Sequence, residues 1–504
     1  MTTYSRKTLS TLAAIITMAL LTACLPAGRA CNHKPHDEKQ VNELPSIFPD
    51  YVGVTIPSDI APLNFSVKDA RRVDVTVTGS NGETLHANGP YARFDIDEWH
   101  RLLRDNQGSN INVRVCARHD DGTWVSYRTF SIAVSSYPLG EWGLTYRRVA
   151  PGYVNYSSMG LYQRCLADYE EKAIFENTAI EGGCINCHSS NRTDPRQFTF
   201  HVRGSHGATL LQTDGQRQWL DTKTDKTLGT CVYPYWHPTG RYVAFSTNRT
   251  NQAFHGINDR RVEVFDHASD LQVYDVENHR LLISPLIKTP DWMETYPSFS
   301  PDGRTLYFCT SRQYDDIGNH FRDIRYNICA ISFNPDNGTF GQQVDTLFNA
   351  EAIGKSAVHP RPSYDGRHLL FTLCDYGCFS IWHKESDQWM MDLQNRQTWP
   401  LTATNSPRAE SYHNWSINSR WIVFTSRREN GLNSLLYIAA IDSTGHAAKP
   451  FLLPQRNPRE YYDRATWSFN TPDFTLSPVN FNWQKGRRET LSDKRTKITA
   501  EIME

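Results

Sequence analysis

The sequence carries almost no net charge. Its 53 Lys and Arg residues are matched by 54 Asp and Glu residues, and no block of like charges stands before the C-terminal tail. Proteins that bind nucleic acids usually present a strongly basic surface. The balance therefore argues against a nucleic-acid partner.

Signatures of familiar enzyme classes are also missing. The chain holds no G-x-S-x-G or H-E-x-x-H motif, and no paired carboxylates stand out. Such motifs place a nucleophile or a metal-bound water beside a general base. Without them an enzymatic activity has no residue to rest on, and the sequence indicates neither a hydrolase nor a transferase.

Long apolar runs are absent after the first two dozen residues. Residues 9–21 form a short apolar run behind Arg6 and Lys7, and this run ends in the letters LTAC at Cys24. No later run reaches the ~18 apolar residues that a membrane-spanning helix needs. A basic start followed by a short apolar run is typical of a cleaved export signal, which we place at 1–23.

The end of this signal resembles the lipobox of bacterial lipoproteins. The resemblance implies that Cys24 is lipidated and becomes the first residue of the mature chain; the alternative is an ordinary cleaved signal with an incidental cysteine. Leu25 offers no acidic retention residue, so we expect an outer-membrane lipoprotein of a Gram-negative cell envelope, facing the periplasm or the outside. The polar stretch 24–45 is then a tether.

Aromatic residues are plentiful, with 13 Trp, 24 Tyr and 23 Phe, and they favour a mainly β protein. In 46–136, apolar and polar residues alternate around Val75, and the Asn-Gly pair at Asn81 and the Asp-Gly pair at Asp121 are typical hairpin turns. One short helix is predicted after Asp95. The pattern predicts an immunoglobulin-like β-sandwich that serves as a spacer or binding module.

Residues 193–483 repeat. Gly240, Gly303 and Gly366 recur at a constant spacing in phrases such as SPDGRTLYF, and Ser419 takes the equivalent place in a fourth unit. Each unit contains a strand, a tight turn and further strands, and sheets of this kind bury both faces only by stacking radially. The repeats predict a β-propeller, for which we expect six blades; a large β-sandwich is the alternative.

Two weaker stretches complete this prediction. QFTFHVRGSHG, which begins at Gln197, predicts a degenerate first blade, and YDRATWSFN, which begins at Tyr462, predicts a last blade or a strand that closes the ring. The phrase SPDGRTLYF resembles the WD40-like repeat of TolB-type propellers, a group whose members usually bind proteins or peptides through their faces.

The flanking segments have a different character. In 137–192, the apolar residues of MGLYQRCLADYEEKAIFEN fall near one helical stripe and predict a helix. The charged tail 484–504 has few apolar residues and predicts a solvated helix or disorder.

Directly after the predicted helix comes a CxxCH motif, formed by Cys184, Cys187 and His188. Two thiols at this spacing reach the two vinyl groups of a porphyrin, and the next histidine can bind the iron. A lipoprotein signal, CINCHS, FHVRGSHG and TolB-like blades together resemble bacterial TolB-like propeller proteins with one c-type haem motif. The resemblance implies thioether bonds from both cysteines, with His188 as the axial iron ligand.

The sixth iron ligand has three candidates: His206, His201 and Met159. Two other interpretations of the motif stay open. Cys184 and Cys187 with the same two histidines fit the spacing of a Cys2His2 zinc site, although this would leave His188 without a role. The two cysteines could instead form a redox-active or structural disulfide.

Other residues have plainer interpretations. Cys309 with Cys329, and Cys374 with Cys378, are candidate disulfide pairs. His237, His359 and His413 open three repeat units, a position that faces the central channel of a propeller; they form a polar ring there or hydrogen bonds between blades. None of these candidates indicates a catalytic activity.

Two functions follow. The first is a lipid-anchored envelope protein that carries one covalent haem c and transfers electrons, with the propeller docking an unidentified redox or envelope protein. The alternative is a propeller binding or scaffold lipoprotein in which the CxxCH motif is structural or binds zinc.

Overall fold

The computed structural model describes residue 35 and residues 37–150, 158–180, 183–254, 262–464 and 467–503. The predicted signal, Cys24 and the first part of the tether lie outside these residues. The described chain is mainly β, as the sequence predicts. Among the described residues, no helix is both long enough and apolar enough to cross a membrane.

The N-terminal module is built around one mixed sheet. Its core consists of the inward-facing residues of alternating strands, such as Val73, Val75 and Val77. The predicted helix is present at Ile96–Asp105, and the Asp95 side chain caps it by accepting the backbone N–H groups of the first turn. The strands of the module are β1 Lys39–Gln40, β2 Ile47–Phe48, β3 Thr55–Ile56, β4 Ser66–Val67, β5 Ala70–Thr78, β6 Thr84–Gly89, β7 Asn110–His119, β8 Trp124–Ser126 and β9 Phe130–Val134.

These strands pair in the order β1-β8-β7-β5-β6, with β9 between β7 and β3, while β2 and β4 form a separate pair. Both β1 with β8 and β3 with β9 are parallel, and the remaining pairs are antiparallel. The immunoglobulin-like assignment of 46–136 stays a prediction.

The rest of the chain forms the strands of a propeller. They are β10 Gly143–Val149, β11 Met159–Cys165, β12 Glu171–Glu176, β13 Cys184–Asn191, β14 Asp194–Arg203, β15 Ala208–Thr213, β16 Gln216–Asp221, β17 Val232–Trp236, β18 Tyr242–Phe254, β19 Val262–Asp275, β20 Arg280–Ile283, β21 Trp292–Phe299, β22 Thr305–Arg312, β23 Asn327–Asn334, β24 Thr339–Phe340, β25 Asp345–Phe348, β26 Ser356–Pro362, β27 His368–Cys374, β28 Asp387–Asp392, β29 Thr398–Pro400, β30 Glu410–Trp415, β31 Trp421–Ser426, β32 Leu435–Ala440, β33 Phe451–Leu452, β34 Ser468–Thr475, β35 Thr496–Lys497 and β36 Thr499–Ile502.

Short helices lie between or after these strands. The α-helices are Ile317–His320, Pro458–Arg464 and Trp483–Leu491, and the 3-10 helices are Asn177–Ala179, Glu351–Ile353 and Ser380–Trp382.

Six sheets form the blades, which confirms the expected number. Blade 1 is β34-β10-β11-β12, and blades 2 to 6 begin at β13, β17, β21, β26 and β30. The six first strands pack side by side around the axis. The ring closes where β34, close to the C-terminus, pairs antiparallel with β10. The closing strand predicted from YDRATWSFN is therefore present at Ser468–Thr475.

The helix predicted in 137–192 is wrong. The segment instead forms the antiparallel strands β11 and β12, joined by a turn in which the Asp168 carboxylate accepts the Glu170 backbone N–H at 2.6 Å. Every residue of β11 is buried, because this strand lies inside a sheet whose two faces are covered. A short apolar run with both faces buried has no two-residue alternation, so its spacing also matches a helical stripe.

The C-terminal tail is also more ordered than predicted. After the helix Trp483–Leu491, β35 adds parallel to β16 of blade 2, and β36 adds parallel to β20 of blade 3. The predicted disorder or solvated helix is therefore wrong for these strands. The outer edge of a blade presents unpaired backbone N–H and C=O groups, and the tail satisfies them.

The candidate disulfides are absent, since all four cysteines are free thiols. Cys309 lies opposite Ile328 and Cys329 lies opposite Phe308, so the two thiols point to opposite faces of the sheet. Cys374 Sγ donates to the Tyr376 carbonyl at 3.3 Å, whereas Cys378 Sγ donates to Asp266 at 3.6 Å.

The module and the propeller share one hydrophobic core. Polar contacts reinforce this interface: Tyr51 donates to the Leu452 carbonyl at 3.3 Å, and Lys449 Nζ donates to the Asp50 carboxylate at 2.8 Å. The module is thus fixed against the rim of blade 6.

Candidate functional site: a blind cup on the propeller axis

Each innermost strand carries one residue in the left-handed backbone region at the same point of the repeat. Non-glycine residues rarely adopt a positive φ, so its recurrence in all six innermost strands indicates a conformation that the fold requires. Each position coincides with a β-bulge or register shift, which turns the side chain towards the axis. These six residues are Cys187 (φ 53°), Tyr233 (50°), Tyr296 (51°), His359 (57°), Tyr412 (50°) and Thr471 (45°).

This alignment relocates the CxxCH motif. Cys187 is the blade 2 member of the set, and His188 stands where three of the other blades have proline directly after Tyr or His. The motif therefore lies on the innermost strand of a blade rather than in a separate helical segment. The signal that could have revealed this is the pairing of Cys-His with Tyr-Pro, Tyr-Pro, His-Pro, Tyr-His and Thr-Pro in successive repeats.

Aromatic rings form the floor of a cup on the axis. The ring centroids of Tyr233 and Tyr296 are 4.7 Å apart, those of Tyr296 and His359 are 4.0 Å apart, and those of His359 and Tyr412 are 5.2 Å apart. Cys187 and Thr471 complete the circle with smaller side chains. The floor is thus aromatic on one side and small on the other.

The hairpin of β18 and β19 covers this floor from outside. Val264 and Phe265 of β19 pack in the same hydrophobic cluster as Tyr296. Glu263 fastens the hairpin to blade 5, because its carboxylate accepts from the Tyr376 hydroxyl at 2.7 Å and lies 3.3 Å from His383 Nε2. The cup is therefore blind at this end and opens at the other.

The wall and mouth of the cup are more polar. Two residues beyond the floor position, Ser189, Tyr235, Arg361, Asn414 and Asp473 line the wall, and the exposed Arg192 lies at the mouth. The cup has a volume of about 80 Å³.

Arg361 is the main positive charge of the wall. Its Nη1 donates to the Pro360 carbonyl at 3.1 Å and to the Pro297 carbonyl at 3.4 Å, and its guanidinium lies 5.1 Å from the Tyr235 ring centre. Burial lowers its pKa. No ion pair joins Arg361 to a carboxylate within the described residues, although Asp473 lines the same cup.

Asp473 is the corresponding acid. The backbone N–H of Ser190 donates to its carboxylate at 3.4 Å. Burial raises the pKa of Asp473 to about 6, against the opposing effects of this N–H and of Arg361. The carboxyl group therefore changes charge close to neutral pH.

Several buried polar atoms of the cup have no hydrogen-bond partner. They are Oγ of Ser190, Nε2 of His359 and one ring nitrogen of His188, and these side chains are only 5 to 6% exposed. The other ring nitrogen of His188 lies beside the Thr145 backbone carbonyl of blade 1, which opposes the effect of burial on its pKa. Burial lowers the pKa of His188 to about 4 and lowers that of His359 well below its usual value. Both imidazoles are therefore neutral at pH 7, with one donor and one acceptor nitrogen each.

The structure separates the two cysteines of the motif. Cys187 and His188 line the cup, whereas Cys184 lies beside Arg147, whose Nη2 is 3.5 Å from Cys184 Sγ. The same nitrogen lies 3.1 Å from Met159 Sδ. Among the candidate sixth ligands, Met159 thus lies close to the motif but next to Cys184 rather than in the cup.

The other two candidate ligands are engaged elsewhere. His201 Nδ1 lies 3.0 Å from Thr209 Oγ1 and its Nε2 lies 3.3 Å from Thr230 Oγ1. His206 pairs with Asp493 of the tail at 2.9 Å. The proposed Cys2His2 zinc set is therefore not assembled, and the part of the chain that the structure describes has no group of three or more His, Cys, Asp and Glu suited to a metal.

The three repeat histidines divide between the two predicted roles. His237 Nε2 bonds to the Gly303 carbonyl at 3.0 Å, and His413 Nε2 bonds to the His359 carbonyl at 2.8 Å. Both bonds join neighbouring blades. His359 itself belongs to the floor of the cup.

The cup as it stands does not fit a porphyrin held by both cysteines. Pockets for ligands of that size enclose roughly 300–1,000 Å³, several times the space available here. Cys184 also faces Arg147 rather than the cup.

No known protein family and no curated protein matches the chain. Solved structures that resemble it include an oligogalacturonate lyase in complex with manganese (10% identity, 59% of this chain and 71% of that one, TM-score 0.34). Two peptidases also resemble it: prolyl oligopeptidase B from Galerina marginata (11%, 59% and 41%, 0.35) and a puromycin-hydrolyzing peptidase of Mycobacterium tuberculosis (12%, 80% and 57%, 0.33).

The chain spans less than two thirds of the length of both peptidases. At these identities and TM-scores the likenesses assign neither a family nor a function. The case for a function therefore rests on the chain's own residues.

Proposed function

We propose that this protein is a ligand-binding propeller lipoprotein of the bacterial cell envelope, and that the axial cup binds a small anionic group. The single observation that supports this most strongly is Arg361, a guanidinium inside the cup without a carboxylate partner among the described residues. Separating a charge from water is costly unless an opposite charge or hydrogen bonds compensate. An entering anion would supply that compensation.

The geometry around Arg361 favours a ligand over a second protein side chain. Its Nη1 is held by two backbone carbonyls, which fixes the guanidinium without neutralising it. Guanidinium groups bind carboxylates in a bidentate manner. The cup is closed by the hairpin at the floor and opens beside Arg192, so a ligand would meet a positive charge at the mouth and another inside.

The remaining parts of the proposal come from the sequence. Lipidation at Cys24 would anchor the protein, 24–45 would act as a tether, and the immunoglobulin-like module would carry the propeller at its rim. The TolB-like repeat supports a propeller that binds its partner through a face. On this proposal Cys187 and His188 are parts of the cup.

The test is titration calorimetry of the mature protein with small carboxylates. We expect Arg361→Gln to reduce affinity by at least about tenfold, because one charge-assisted hydrogen-bonded contact is lost, and Arg361→Lys to retain part of it. Arg71→Gln is the matched control, since Arg71 is an exposed arginine of the N-terminal module. Equal binding by the wild type and Arg361→Gln would refute the proposal.

A covalent c-type haem with electron transfer is the second candidate. The neutral, buried His188 and the free thiols of Cys184 and Cys187 favour it, although the cup would have to widen to admit a porphyrin. When bound, such a group supplies one-electron chemistry. Its test is a haem stain and a reduced-minus-oxidised spectrum of protein made in a host that attaches haem c. A pigment lost in Cys187→Ala would support haem, whereas a colourless protein would rule it out.

A further inference from the structure

We propose that the ligand of the cup is a polyhydroxylated carboxylate, as in a sugar acid, whose carboxylate binds Arg361 and whose hydroxyls bind His188, Ser190 and His359. This inference rests on the proposed function and deepens it. It concerns the chemical class of the ligand, which the charge of Arg361 alone leaves open.

Three buried side chains of the cup each have a polar atom that is open to a partner. His188, Ser190 and His359 come from two different blades, are at least nine-tenths buried, and line the same cup. Buried polar atoms in native proteins almost always have a partner. Three such side chains around one space indicate that the missing partners belong to something that enters it.

These groups fit a partner that both donates and accepts hydrogen bonds. Both imidazoles are neutral at pH 7. The His188 N–H faces the Thr145 backbone, so its acceptor nitrogen is open to a ligand, as is Nε2 of His359. The Ser190 hydroxyl both donates and accepts. A ligand hydroxyl matches all three, since it too donates and accepts, whereas a second anionic group could only accept.

The charges of the cup limit the charge of its ligand. Arg361 is the cation of the wall, and Asp473 lies in the same cup. A doubly charged phosphate would meet one guanidinium and a carboxylate that is ionised above pH 6 or so. A single carboxylate balances Arg361 without adding a second negative charge. The wall therefore favours a carboxylate over a phosphate.

The floor and the size of the cup complete the case. The rings of Tyr233, Tyr296 and Tyr412 present apolar faces against which the C–H groups of a ligand can pack. A volume of about 80 Å³ suits a small acid rather than a large cofactor. A longer ligand would extend through the mouth beside Arg192, so the acid could be free or could be the terminal residue of a glycan.

The experiment compares two four-carbon acids that differ only in their hydroxyls. Calorimetry of the mature, full-length protein is run with threonate, butyrate and inorganic phosphate. We expect threonate to bind at least about tenfold more tightly than butyrate, because buried groups left without a partner reject the analogue that lacks the hydroxyls. Butyrate binding equal to threonate, or phosphate binding more tightly than threonate, would overturn the inference.

Variants test the named residues. We expect His188→Phe to reduce the threonate-to-butyrate ratio to within about threefold. Ser190→Ala, which removes only a hydroxyl, should lower the same ratio if His188→Phe does not fold. His206→Gln is the matched control, because His206 pairs with Asp493 away from the cup. An unchanged ratio in folded His188→Phe and Ser190→Ala would overturn the inference.

The design separates this inference from the proposed function. If threonate and butyrate bind equally and Arg361→Gln weakens both, the anion site stands and the sugar-acid inference fails. If the wild type binds neither acid nor a disaccharide ending in glucuronate, both fail. Binding of free threonate supports a free acid as the source, and binding of the disaccharide alone supports a glycan terminus.

Discussion

The two halves of the cup floor use the same backbone for different purposes. In blades 3 to 6, the left-handed position carries Tyr233, Tyr296, His359 and Tyr412, whose rings contact one another in sequence. In blades 1 and 2 the same position carries Thr471 and Cys187. The four ring-bearing residues, which we call the aromatic half, fill the axis. The two smaller residues, which we call the open half, leave space beside it.

This difference explains where the cup lies and why its polar atoms are concentrated on one side. His188 occupies a position that is proline in three aromatic-half blades, and it brings two nitrogens that a proline lacks. The blade that departs most from the repeat thus supplies most of the unpartnered polar atoms. We therefore interpret the departure of this blade from the repeat as a specialised surface rather than as a loss of stability.

The largest expected effect breaks the aromatic half. Tyr296 is buried between Tyr233 and His359, so Tyr296→Ala should lower the free energy of unfolding by about 3–5 kcal/mol. Thr471→Ala, at the equivalent position of the open half, should cost less than about 1 kcal/mol because little packed volume is lost. Urea unfolding followed by tryptophan fluorescence measures both. Equal destabilisation would show that the halves are not packed differently.

A smaller effect concerns the charge of the open half. The Asp473 carboxyl has a pKa raised to about 6 by burial, so it is ionised at pH 7.5 and mostly neutral at pH 5. Its negative charge opposes an anionic ligand. Threonate affinity should therefore rise about three- to tenfold as the pH falls across this range, since such an interaction is on the order of 1 kcal/mol.

The other buried ionisable groups named in the cup keep their charge over this range. Arg361 stays positive, because a guanidinium keeps its proton in proteins, while His188 and His359 stay neutral. Burial raises the pKa of Glu141, which lies beyond Tyr364, to about 8, above the whole of this range. Asp473→Asn should therefore bind tightly at every pH tested. An affinity that falls on acidification would contradict the assignment to Asp473.

The blades also differ in how well the sequence predicts them. A blade with an Asp-Gly turn before an apolar strand can be recognised from the sequence, because that turn requires a positive φ at glycine. Gly303 and Gly366 are examples. These turns predict the propeller, and the closing strand follows from the leftover WSFN segment. Short stretches of sequence were therefore sufficient to predict both the propeller and its closing strand.

The blade containing CxxCH could not be recognised in this way. Its turn is formed by Arg192 and Thr193, both left-handed without glycine, so the usual signal is missing. The parallel pairing of β35 and β36 with blades 2 and 3 depends on edges that exist only after the ring has formed. Likewise, CxxCH spacing predicts which thiols could meet one ligand, but a β-bulge decides which way each one points.

The smallest expected effect sharpens the contrast within the motif itself. Cys187 is buried in the cup and its pKa is raised by burial, whereas Cys184 is partly exposed. Because the thiolate is the reactive form, iodoacetamide should label Cys184 about tenfold faster than Cys187 in the folded protein. Peptide mass spectrometry gives both rates, with Cys231, a fully buried thiol, as internal control. Saturating threonate should slow Cys187 further and leave Cys184 unchanged; faster labelling of Cys187 would mean that the cup is more open than this arrangement allows.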